Sequence, residues 1–223
     1  MKSLDFKDVL PGTSELQTIT VAFGGTPMFI PPGATTNAGL MLSRTAPNGS
    51  VEEDLRIENS SLIYSTKVYT RWADVWAKAN RYFEALAPLY ASQPFSAIAV
   101  NVIDKFVWTG AAESARASKL LRKGSQFLSP HIFQATDLWH SHTGSFNNVD
   151  AQTRRLLNVN VDFLDELHEN VSRRIIAIST VLTDMYGQPG KQPLNVLPNE
   201  AHILLHDRIN SLHAESNNVV KSV

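Results

Sequence analysis

The chain has 223 residues, a formal net charge of -1 and no cysteine. Disulfides, thiolate metal sites and cysteine nucleophiles are therefore excluded, and the balanced charge speaks against nucleic-acid or anionic-membrane binding driven by net charge. With 43% hydrophobic and 18% charged residues, it has material for a sizeable core, in one large domain or two small halves sharing that core.

No apolar run approaches the ~18 residues of a membrane span. The opening segment carries Asp5 and Asp8 and no apolar stretch, so it does not read as a signal peptide. The expected setting is cytoplasmic, without a membrane partner. Residues 15–23 read as a first strand, with Leu16, Ile19, Val21 and Phe23 apolar. Residues 39–44 read as a second. Pro47, Asn48, Gly49 and Ser50 then spell a turn. Residues 55–67 read as a third strand region, with Asn59, Ser60 and Ser61 marking a bulge or tight turn in its middle.

The periodicity predicts a long helix over residues 70–86. Trp72, Val75, Trp76, Ala79, Phe83 and Leu86 form its apolar stripe. Thr70 suits its N-cap, Asp74 and Lys78 are spaced for an i,i+4 pair, and Pro88 suits its end. Two tryptophans one turn apart read first as core packing, not as a ligand platform.

Residues 97–103 are nearly all apolar, as in a central strand buried on both faces. Residues 110–125 have helical composition and bring Arg116, Lys119, Arg122 and Lys123 into a basic patch. Three more strands are expected: one within residues 132–146, one at 155–164 and one at 173–185. In the second, Leu157, Val159, Val161 and Phe163 alternate with Asn158, Asn160 and Asp162. A last helix opens at Pro198 and Asn199. Leu205, Ile209, Leu212, Ser216, Val219 and Val223 make a narrow apolar seam on it, suited to a sheet or a partner helix.

The predicted class is α+β: a mostly antiparallel curved sheet with two long helices on one face. The order is compatible with a diverged strand-strand-strand-helix duplication, with pseudo-repeated halves at about residues 1–110 and 126–223 of a single domain.

Four blocks carry a resemblance. They are Leu55, Arg56, Ile57 and Glu58 through Tyr64 into Tyr69, Thr70, Arg71 and Trp72; the strand around Val100 and Asn101; the strand from Leu157 to Asp162; and Leu204, Leu205, His206, Asp207, Arg208, Ile209 and Asn210. In these the chain resembles a sporadically distributed family of uncharacterised prokaryotic proteins. It departs from that pattern at Ala99 and Val100, where an Arg-Tyr pair is usual. The resemblance implies an architecture but no activity. The family's patchy distribution is like that of genes on mobile or defence islands.

Chemistry concentrates in three places. His140 and His142, two apart on a strand, share one face with Cα atoms roughly 7 Å apart and suit a shared divalent metal. Asp162 or His168 is the candidate third ligand. The last helix carries His202, His206 and His213 along one side, bordering the seam of Leu205, Ile209 and Leu212. The basic patch is the third. There is no phosphate loop, no dinucleotide fingerprint and no nucleophile elbow.

Three functions follow. The first is a non-catalytic accessory or regulatory protein that binds itself, as a homodimer, or another protein through a sheet face or the last helix, needing no cofactor. The second is a metal-dependent enzyme or small-molecule binder built on His140 and His142. The third is a nucleic-acid binder using Arg116, Lys119, Arg122 and Lys123.

Overall fold

Turn chemistry and alternation build the first sheet. In the computed structural model, residues 5–18, 36–58, 60–90, 94–168, 171–187 and 201–223 are described. Strands β1 (Gly12–Thr18), β2 (Thr36–Thr45), β3 (Val51–Glu58) and β4 (Leu62–Thr66) form an antiparallel meander in chain order. A one-turn helix, α1 (Phe6–Val9), precedes it. The expected first strand extends past residue 18 into positions outside the described residues. The β2–β3 turn is the one spelled by Asn48 and Gly49: Gly49 has φ 82°, where a side chain is strained. Gly39 also has a positive φ, 149°, and is required for a second reason. A Cβ there would collide with the Ile57 carbonyl oxygen across the ladder.

Helix α2 (Trp72–Tyr90) follows, with Trp76, Ala79, Tyr82 and Leu86 buried at helical spacing. The two tryptophans stack on each other at 6.3 Å, and Trp76 is buried, as core residues are. The helix runs through Pro88 instead of stopping there. So close to the end, proline forfeits only one main-chain hydrogen bond. Asp74 is held by Arg71 and Thr70, while Lys78 reaches Glu53 on β3, so the local Asp74–Lys78 pair does not form.

The chain divides into two compact units, Met1–Pro88 and Leu89–Val223. The second holds β5 (Ala97–Val107), β6 (Trp139–Asn148), β7 (Arg154–His168) and β8 (Val171–Met185), all antiparallel, in the order β5-β8-β7-β6. Helix α3 (Ala201–Val220) packs on β5 and β8. Each unit thus has a three-strand meander leading into a helix. The fourth strand joins opposite ends of that meander: β1 beside its first strand, β5 beside its last. Through its pairing with β8, β5 belongs to the second unit, so the division falls at residue 88, before both expected half boundaries.

The architecture is α+β with antiparallel strands, and among the described residues they lie in two four-stranded sheets. In the second sheet Leu157, Val159, Val161 and Phe163 face the core with Ile176, Ile178, Thr180 and Leu182. The strand at 97–107 is a correction: among the described residues it is an edge strand, not a central one. Ile98 and Val100 are buried, whereas Ala97, Ala99, Asn101 and Ile103 are exposed. Small alanines make the run look apolar without giving it a second buried face.

Residues 110–125 form no helix, only 3₁₀ turns at Ala112–Ser114 and Ala117–Lys119. Ser114 Oγ donates to the Ala111 carbonyl (2.7 Å), and Arg116 donates to the carbonyls of Glu113 and Ala115. These side chains occupy carbonyls that a helix would use.

Candidate functional site

The register brings part of the histidine site together. His140 on β6 stands directly opposite Asp162 on β7, and His142 stands opposite Asn160. All four share a sheet face, and both imidazoles are exposed. His168 lies at the far end of β7, about 20 Å along the strand from Asp162, and cannot join them. Among the described residues, no three His, Asp or Glu groups are placed to hold a metal ion.

The helix seam is spent inside its own unit. Leu212 is fully buried, Ile209 is buried and Leu205 is half-buried. An external partner therefore cannot use Ile209 or Leu212. His206 is exposed, His213 is buried, and the His202 side chain is outside the described residues. His206 and His213 therefore do not share one exposed row. Burial pushes the His213 imidazole below its ordinary range. The folded chain then binds fewer protons than the unfolded chain at mildly acidic pH. This contribution to stability is complete above about pH 6.5 and is lost as pH falls below it. The urea midpoint is expected to drop between pH 7 and pH 5, with a shallower slope in His213→Gln.

The basic patch is dispersed by local bonding. Arg116 is half-buried on two carbonyls, and Lys119 lies 4.9 Å from the Trp108 ring centroid. Arg122 and Lys123 are exposed on the following turn, where the Arg122 N–H holds the Val223 carbonyl. No described helix is long and apolar enough to cross a membrane.

Two buried charge clusters stand out instead. In the first unit, Glu53 is 1% exposed and accepts from Arg44 (2.6 Å), Lys78 (3.0 Å), Tyr64 and Tyr82 (both 3.1 Å). Burial and then the Glu53 charge push the Tyr82 hydroxyl up to about 12 and Tyr64 in the same direction, so both remain donors. In the second unit, Arg155 and Asp184 face each other across β7 and β8. Arg155 donates to both Asp184 oxygens (2.6 and 2.8 Å) and to Glu215 on α3. Arg208 lies 3.7 Å from Asp184 and bonds Asp150 at 3.1 Å. The Asp150 carboxyl is pushed up by burial. The N–H groups of Gln152 and Thr153, and Arg208, outweigh that and bring it to about 2. The donors and acceptors in both clusters are turned on one another, which suits holding strands and helix together.

Parity marks these residues in the sequence. Arg155 and Asp184 sit at inward positions of the β7 and β8 alternation, and Glu53 sits at the inward parity of Leu55. A charge at an inward position asks for a buried partner.

The remaining surface is the second face of the second sheet and its β5 edge. Asn101, Ile103, Lys105, His140, His142 and Phe146 are exposed there. Lys105 pairs with Glu166 (2.8 Å), and Ser179 donates to Asn101 (3.2 Å). Along β5 the ladder to β8 is unbroken over eleven residues, with no bulge and no proline. The Trp108 N–H bonds the Arg174 carbonyl and the Tyr186 N–H bonds the Ser96 carbonyl, each at 2.8 Å. Even-numbered residues of β5 therefore bond β8, and the N–H and C=O groups of Ala97, Ala99, Asn101, Ile103, Lys105 and Val107 turn outward. Comparison of the chain with protein-family models, with curated proteins and with solved structures finds no match.

Proposed function

We propose that this chain is a non-catalytic protein-binding protein, accessory or regulatory in role, whose docking element is the outer edge of β5. One observation carries the reading: a long, regular edge strand with alternate main-chain groups unpaired among the described residues. Proteins usually blunt such edges with proline, bulges or unpaired charges, because a bare edge is a template for another strand. Here the edge has neither bulge nor proline, Lys105 is engaged by Glu166, and Asp104, the other charge on the strand, lies on the core-facing side, where burial pushes its carboxyl up toward the neutral form. Strand addition would draw affinity from main-chain hydrogen bonds and selectivity from the flanking side chains.

Amide hydrogen exchange on the full chain, alone and in the assembly it forms, tests this. Association is expected to slow the amides of Ala99, Asn101, Ile103, Lys105 and Val107 at least tenfold. Association that leaves these amides exchanging as in the free chain rules out the edge.

A further inference from the structure

We infer that the strand seated on this edge is β5 of a second copy, running antiparallel across a two-fold axis at Ile103. The inference rests on the reading of β5 as a docking edge and adds the identity of the partner.

A two-fold axis makes a strand meet itself, so the sequence must tolerate its own reversal. Centred on Ile103, the pairing sets Ile103 against Ile103 of the second copy. Asn101 then faces Lys105, and Ala99 faces Val107. On the other face Val102 meets Asp104 and Val100 meets Phe106. No like charges stand opposite, and each lysine meets an amide side chain. Centring on Asp104 or Lys105 instead opposes identical charges, which destabilises a sheet pair. Ile103, at 58% exposure, and Phe106, at 43%, are the large apolar side chains of β5 left open, and this register covers both. The outward groups are in phase: residues 99, 101, 103, 105 and 107 of each copy face one another as hydrogen-bonded pairs, giving about ten main-chain bonds. The product is one continuous eight-stranded antiparallel sheet made from two four-stranded ones.

The test uses the full chain. Sedimentation velocity across two decades of micromolar concentration is expected to show a monomer–dimer equilibrium. Ile103→Lys places two ammonium groups on the axis and is expected to weaken it at least tenfold, with an unchanged circular dichroism spectrum. The chain has no cysteine, so Ile103→Cys provides a single thiol. Cα atoms of a hydrogen-bonded antiparallel pair lie about 5.5 Å apart, within disulfide reach. Mild oxidation is expected to give a covalent dimer, a readout that does not depend on how well Ile103→Lys folds. A chain monomeric at every concentration overturns self-pairing, as does a dimer indifferent to Ile103→Lys and not cross-linked through Ile103→Cys. Either result leaves the edge reading to its own test, since protection of the β5 amides by a different protein would then still be observed.

Discussion

Asp184→Asn is expected to lower the unfolding free energy by about 3–5 kcal/mol, read from urea denaturation, because it strands a guanidinium in the core. Asp184 is fully buried and Arg155 nearly so, and two of the Arg155 nitrogens lie on Asp184 at 2.6 and 2.8 Å. The hydrogen bonds Arg155 donates to Asp184 raise its guanidinium above its ordinary range, so shedding the proton offers no relief. Glu215 keeps a third nitrogen occupied but lies partly in solvent, with 39% of its side chain exposed. Glu215→Gln is accordingly expected to cost only about 1 kcal/mol or less. Replacing both members of the buried pair, Arg155→Met with Asp184→Leu, is expected to recover most of the loss. The desolvation of two charges then disappears together with their attraction. A double variant as unstable as the sum of its single changes would show that the pair acts independently.

Glu53→Gln is expected to cost about 2–3 kcal/mol by the same measurement. The carboxylate accepts four hydrogen bonds, and an amide of the same shape turns a donor toward donors. The loss is smaller than at Asp184 because Arg44 and Lys78 are 40% and 41% exposed and can rehydrate. The two tyrosine hydroxyls have less access to water. Tyr64→Phe and Tyr82→Phe are expected to cost about 1 kcal/mol each in the native background and little in Glu53→Gln. Full additivity of these changes would contradict a shared acceptor.

Much of the secondary structure is readable because it is local. The β7 alternation from Leu157 to Phe163, the Asn48-Gly49 turn and the helical stripe of α2 all depend on neighbours within one or two turns of chain. The alternation and the turn appeared where the pattern placed them; of the expected α2 stripe Trp76, Ala79 and Leu86 are buried, joined by Tyr82, while Trp72, Val75 and Phe83 are only half-buried. The 3₁₀ segment did not, because side-chain bonds from Ser114 and Arg116 compete with helical ones at an energy that composition does not register.

Pairings between distant segments are another matter. A strand's own residues do not say whether it ends as a centre or an edge: β5 pairs with β8 on one side and, among the described residues, has no strand on the other. The same holds for Lys78, which had Asp74 four residues away and found Glu53 twenty-five residues back in the chain. The histidine pair shows the limit in reverse. Spacing put His140 and His142 on one face, but register placed Asn160 beside His142 and left His168 far down the strand. By itself, then, the sequence determined the class, most elements and the inward parity of Glu53, Arg155 and Asp184, all set by short-range geometry. Only the tertiary structure decided which charges meet, which seam is spent on the core and which strands end their sheets among the described residues, since those choices depend on contacts between elements far apart in the chain.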